Sequence, residues 1–262
     1  TYGENHANQL VLYSSIRGWG VPNAGAEMFP LGMGWGGGTV NSQLWDEWEA
    51  NEPDDIRRQA SIMDVEDPNE MEKHTWGGDG QMEETGYWNK KYIAMNAKRK
   101  NAEGGTDYVN YSCLLFNAPD DYRKNNTQDT YIMRFSDVLL MLAELTRDVS
   151  YINQVRDRVG LPELQAYTDE ALRNERRHEL CFEGIRYYDL LRWHIAGTQL
   201  NKKNGVPICN AGVWTTANFG DMQKRIEETG GFFPIPVSQI NLSAGVLKQD
   251  PAWEGAGAIY TD

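Results

Sequence analysis

The chain has 262 residues, 40% of them hydrophobic, with 25 Lys and Arg against 38 Asp and Glu for a net charge of −13. That is enough apolar material for one large or two ordinary domains, whereas nucleic acid needs a concentrated basic surface that so acidic a chain lacks. No stretch approaches the roughly 20 apolar residues that cross a bilayer, the best being Asp137 to Leu145, bounded by Arg134 and Arg147.

The first ~125 residues read as loops separating short elements. They hold six of the nine tryptophans, a glycine-dense run from Gly32 to Gly38 and the cluster Gly77-Gly78-Asp79-Gly80. Thr1 reads as a processed or truncated end, since no Met, basic region or apolar leader opens the chain. A buried strand is expected at Gln9 to Ile16, where apolar residues fall on both faces, and a short helix at Asn41 to Ala50, with Leu44, Trp45 and Trp48 on one side. From Thr130 the period becomes helical: Tyr131, Phe135, Val138, Leu139, Leu142 and Leu145 step by three and four. A second helix is expected from Val149 to Val159, stopped by Gly160-Leu161-Pro162. A third starts at a Thr168 cap and carries Leu172, Leu180 and Phe182; after a break at Gly184 a fourth carries Ile185, Tyr188, Leu191 and Ile195. The alternate prolines of Phe233-Pro234-Ile235-Pro236 require an extended path.

Several motifs lose their sharper meaning in context. Gly32-Met33-Gly34-Trp35-Gly36-Gly37 matches GxGxxG, but no β-branched strand leads into it and Trp35 fills the turn where a pyrophosphate would approach. Glu175 and His178 form a single ExxH, and a carboxylate-bridged metal pair needs a second copy that no other histidine supplies. Cys113, Cys181 and Cys209 are odd in number and without CxxC, which suggests neither a disulfide framework nor a zinc site. GxSxG, HExxH and P-loop patterns do not occur. The charges Glu175, Arg176, Glu179, Glu183, Arg186, Asp189 and Arg192 sit among apolar residues, with four i,i+3 pairs between them: Arg176–Glu179, Glu183–Arg186, Arg186–Asp189 and Asp189–Arg192. A partly buried ionic cluster that fixes how helices meet is the expectation, with catalytic carboxylates as the alternative.

Four stretches resemble the SusD/RagB family of outer-membrane nutrient-binding proteins: Tyr131 to Glu144 (YIMRFSDVLLMLAE), Ile152 to Leu164 (INQVRDRVGLPEL), Glu175 to Trp193 (ERRHELCFEGIRYYDLLRW) and Phe232 to Trp253 (FFPIPVSQINLSAGVLKQDPAW). The segment from Glu4-Asn5 through Met28-Phe29-Pro30 looks like the loop-rich middle of the same family. The resemblance implies a mainly α fold, SusD-like, with tetratricopeptide-like helix pairs packed against a loop-rich region containing few short strands. The whole of 1–262 would be one C-terminal portion: 1–128 loop-rich and ligand-facing, 129–200 helical hairpins, 201–262 a loop-rich end. It also implies a lipoprotein on the extracellular face of the outer membrane that binds glycans or other nutrients for a SusC-like TonB-dependent transporter, with no catalysis, cofactor or metal. Full-length relatives are about twice as long and carry the lipidated Cys and further helices in a preceding segment. The family usually has a longer connection where Thr146-Arg147-Asp148 stands, and Glu170 to Glu175 looks similarly shortened, so a chain break or high mobility is expected around Thr146 to Val149.

Sugars present apolar C–H faces ringed by hydroxyls, which suit exposed aromatic rings with polar neighbours. Trp19, Trp35, Trp76 and Trp88 lie in polar, Gly-rich contexts and are the candidate ligand-binding residues, each with a core or loop-anchoring role as its alternative. Trp45, Trp48 and Trp193 are assigned to packing. Two other functions stay open: a glycoside hydrolase using Asp46, Glu47 and Glu49 or Glu83 and Glu84, and a helical repeat that binds only protein.

Overall fold

A computed structural model describes residues 8–116, 121, 123 and 126–254; Glu4 and Asn5 lie outside them. Helices hold 39% of the described residues and strands 12%, a mainly α protein with short strands. The chain divides into two compact units, Thr1–Arg186 with Val206–Ala217, and Tyr187–Gly205 with Asn218–Asp262.

The first unit opens with α1 (Gln9–Ser14), α2 (Ala24–Glu27), α3 (Ser42–Asn51) and α4 (Arg57–Ser61). The strand expected at Gln9 to Ile16 is therefore a helix. Asn8 caps it, its side chain accepting from the Leu10 and Val11 amides, and Val11 and Leu12 are buried. An apolar run this short carries no usable period, and the polar cap decides its conformation. Next come two antiparallel pairs: β1 (Ile62–Asp64) with β2 (Tyr87–Asn89), Met63 opposite Trp88, and β3 (Asn96–Lys100) with β4 (Thr106–Asn110). Ile16, Met28, Leu31, Met63, Met71 and Trp88 pack together between these elements as a core.

After α5 (Tyr111–Phe116), α6 (Phe135–Thr146), α7 (Val149–Asp157) and α8 (Asp169–Glu179) pack against one another. The helix expected from Thr130 starts at Phe135 instead, because Arg134 is extended and its guanidinium is drawn to Glu179 and Glu183. Its buried face is Leu139, Leu140 and Ala143, while Phe135 and Leu145 of the expected stripe are exposed. Where the break is expected, α6 and α7 are joined by a tight turn: Arg147 takes a left-handed conformation at φ 55°, and Asp148 caps α7 by accepting from the Ser150 amide at 2.8 Å. Residues Glu170 to Glu175 are continuous helix, within α8 and behind the expected Thr168 cap. The hairpin β5 (Pro207–Asn210) and β6 (Val213–Thr216) completes this unit, with Cys209 opposite Trp214.

The second unit contains α9 (Arg186–Arg192, its first residue still in the first unit), α10 (Ala196–Asn201), α11 (Met222–Thr229) and α12 (Val237–Leu242), and α10 packs on α11. Phe233 to Pro236 is neither helix nor strand, and Pro236 itself is at φ −55°, ψ 131°, where its ring holds it. The Gln249 side chain closes on this segment, accepting from the Ile235 amide at 3.1 Å and donating to its carbonyl at 3.0 Å, so the two halves of the C-terminal motif hold each other. Among the described residues no helix is long and apolar enough to cross a membrane.

Candidate functional site

The glycine run serves the end of α1. Four of its residues, Gly34, Trp35, Gly36 and Gly37, donate their amides to the carbonyls of Ile16, Leu12, Ser15 and Tyr13 at 2.8 to 2.9 Å. A helix C-terminus leaves carbonyls without intrahelical partners, and here the run answers them. The amides that a phosphate would need are thereby occupied, which accounts for the failure of the GxGxxG reading in structural terms. Close approach also explains the composition: a Cβ on Gly34 would strike the Leu12 carbonyl, and one on Gly38 the Ser14 carbonyl.

This clasp leaves large rings facing solvent. Tyr13 is 55% exposed and lies over Gly37, where a Cβ would run into its ring. Trp35 is 53% exposed and Trp19 is 69% exposed. Arg17 links their backbones, donating from Nε to the Trp35 carbonyl at 2.9 Å and from Nη1 to the Gly80 carbonyl at 3.1 Å, while the Gly80 amide donates to the Trp19 carbonyl at 3.2 Å. Exposed Met82 adds its sulfur 3.6 Å from Arg17 Nη1. Two of the expected aromatics, Trp19 and Trp35, thus gather around one arginine. Tyr13, Arg17 and Met82 were not expected there; Tyr13 is hidden in the sequence by the apolar run of α1.

The other two expected rings lie elsewhere. Trp88 is corrected: it is 0% exposed in the core, on β2 between Met63 and the Thr39 bridge, and a ring without solvent access has no face for a sugar. Trp76 is half-buried, packed on the core and 5.2 Å from the ring of Trp214 on β6. His74 touches Trp76 edge-on at 4.2 Å and places Nε2 3.6 Å from Glu84 Oε2, both side chains buried.

The ionic cluster joins several elements as well as neighbours along one helix. Glu179 meets Arg57 at 3.0 Å, Arg158 at 2.7 Å and Arg134. Glu175 meets Arg57 at 2.6 Å and Arg156 at 3.2 Å, and Glu183 meets Lys91 at 2.7 Å and Arg134 at 2.8 Å. Arg176 reaches across to Asp137 at 2.8 Å. Glu179 and Glu183 are thus engaged across elements, and Arg186 is half-buried at the start of α9. Asp189 and Arg192 pair as expected, at 2.9 Å. Burial alone would raise the Glu179 carboxyl, but the hydrogen bonds and charge of Arg134, Arg57 and Arg158 outweigh it and hold the pKa at about 2.

His178 of the ExxH turns to Glu52, 3.1 Å from Nδ1, while Glu175 is taken by arginines. Glu52, Asp55 and His178 bring ligand-type atoms within 4.8 Å of one another. Arg156 on Glu52, Arg57 on Asp55 and the Trp48 Nε1 donor to Asp55 already neutralise that corner. A cleft of about 480 Å³ opens beside Arg134, Phe135, Leu139, Gln154, Val155 and Arg158, away from the aromatic loops. Its two guanidiniums are committed to Glu179.

Residues 32–253 match the SusD family model. The chain belongs to the SusD family. A SusD-like protein of Formosa agariphila is 25% identical over 187 residues, 64% of this chain and 36% of that protein. The solved structure of a laminarin-binding SusD-like protein is 25% identical with a TM-score of 0.61, over 94% of this chain and 44% of that one. Surface glycan-binding protein A of Bacteroides thetaiotaomicron, also solved with laminarihexaose, shares the fold at 24% identity and a TM-score of 0.58, over 92% of this chain and 46% of that one. The chain spans less than half the length of these SusD-family relatives.

Proposed function

We propose that this SusD-family chain is a non-enzymatic glycan-binding subunit, displayed on the extracellular face of the outer membrane, that captures oligosaccharide for a SusC-like TonB-dependent transporter. The observation that carries the reading is the exposure of Tyr13, Trp35 and Trp19 on a backbone fixed around Arg17. Flat rings stack on the C–H faces of a sugar, and Arg17 holds the backbone that carries them. Loops held by a rigid scaffold are the usual place for recognition. Of the carboxylates considered for a hydrolase, Glu47 pairs with Arg177, Glu49 with Arg58 at 2.9 Å, and Glu84 is buried against His74.

Calorimetry of the purified protein against a polysaccharide panel tests this, with reducing-end release followed in parallel. Laminarin comes first, because a relative of the same fold binds it. Saturable binding without sugar release is the expected result. Release would make the protein a hydrolase, and failure to bind any glycan would leave a protein-binding module.

A further inference from the structure

We infer that Trp76 and Trp214 form a second sugar-stacking subsite, joined by loop 75–82 to the Tyr13–Trp35 surface, so that a sufficiently long oligosaccharide is held at both. The inference rests on the glycan-binding reading above. The two rings lie 5.2 Å apart and tilted by 57°, close enough to touch, and together offer one aromatic surface. Trp214 is 50% exposed on β6, a strand whose four residues all face solvent, and Thr216 shares its side of the hairpin. Trp76 is held from behind by the edge of His74 at 4.2 Å. Gly77, next to Trp76, lies against Gly212, where a Cβ would meet the Gly77 backbone, and neither position carries a side chain that could obstruct the rings. A half-exposed indole beside hydroxyls and bare backbone matches a sugar ring better than the broad apolar face a protein partner would need.

The two aromatic groups are ends of one short piece of chain. From Trp76 the loop reaches Gly80, which bonds to both Trp19 and Arg17, and four residues span at most about 14 Å. Gln81 fixes that piece. Its buried Oε1 accepts from the Gly77 and Gly78 amides at 2.6 and 2.7 Å, and Nε2 donates to the Thr75 carbonyl at 2.5 Å. Two sites held at a fixed short spacing bind a spanning ligand more tightly than either does alone.

The test is calorimetry with an oligosaccharide ladder, from disaccharide to hexasaccharide, cut from laminarin or from whichever panel polysaccharide the parent binds. Parent affinity is expected to rise along the ladder. Trp214→Ala should weaken the hexasaccharide about tenfold and leave the disaccharide unchanged; Trp214→Thr, which keeps strand propensity, guards against a folding artefact. If both variants bind the hexasaccharide like the parent, the second subsite is wrong while the glycan-binding reading stands. If the parent binds no glycan of the panel, both fall together.

Discussion

Trp48 and His178 lie face to face, their rings 4.2 Å apart and 4° from parallel. Each also holds a carboxylate: Trp48 Nε1 donates to Asp55 at 2.9 Å, and His178 Nδ1 is 3.1 Å from Glu52. The stack thereby fastens α3 to α8 at the edge of the ionic cluster. His178→Ala removes the stack and one partner of a half-buried carboxylate, and is expected to cost about 2 kcal/mol in urea denaturation, with sugar affinity unchanged.

Acid should attack the cluster in a defined window. The Glu179 carboxyl is held down from its ordinary 4.5 to about 2, so its contribution is fully present above pH 4.5 and is lost as pH falls through about 2. The shift corresponds to stabilisation on the order of 3 kcal/mol. Urea midpoints measured at pH 7, 5 and 3 should hold between the first two and drop at the third. Glu179→Gln should start lower and drop less; parallel pH curves for the two proteins would refute the assignment.

The cluster's members should differ in weight according to burial. Glu183, 6% exposed at its side chain, holds Lys91 and Arg134, and Glu183→Ala leaves both cations without that partner. A cost on the order of 3 kcal/mol is expected. Arg158 reaches Glu179 from a side chain 57% exposed, and Arg158→Ala should cost less than about 1 kcal/mol. Equal losses in melting temperature would contradict this ranking.

Neighbouring glycines should separate binding from folding. In Gly37→Ala the new Cβ meets the exposed Tyr13 ring, which is able to swing away, so stability should hold while glycan affinity falls. In Gly38→Ala it meets the Ser14 carbonyl and the buried Asn89 amide, which are not free to move, and the clasp around α1 should open with a loss of about 1–3 kcal/mol. Thermal melts and calorimetry on the pair give the comparison.

Two tryptophans expected to act alike should part in the same way. Trp35→Ala is expected to weaken binding about tenfold with an unchanged melting temperature. Trp88→Ala empties a core position and should cost about 3–5 kcal/mol. A variant of Trp88 that stays fully stable and loses only binding would return that ring to the surface.

The helices were legible where a cap and a period agreed: Asn41 before α3, Thr168 before α8, and the stop at Gly160. The structural role of the run from Glu175 was legible too, since charges among apolar residues need partners. The partners themselves were not, because Arg57, Arg134 and Arg156 come from other elements and spacing along one helix says nothing about them. Trp88 sat in the same Gly-rich texture as Trp35, and only the pairing of β2 with β1 distinguishes a core ring from a surface one. Trp214 stands between Val213 and Thr215, a strand-like context that does not mark an exposed ring.

The bond from Arg57 to Glu175 closes a loop of 118 residues. During synthesis α4 and Asp55, which pairs with Arg57 at 2.7 Å, are therefore made long before Glu175. Closing so long a loop is slow compared with forming local turns. Docking of α8 is thus expected as a late step in folding this unit, and Glu175→Gln should slow refolding as well as lower stability, which stopped-flow refolding in urea would check.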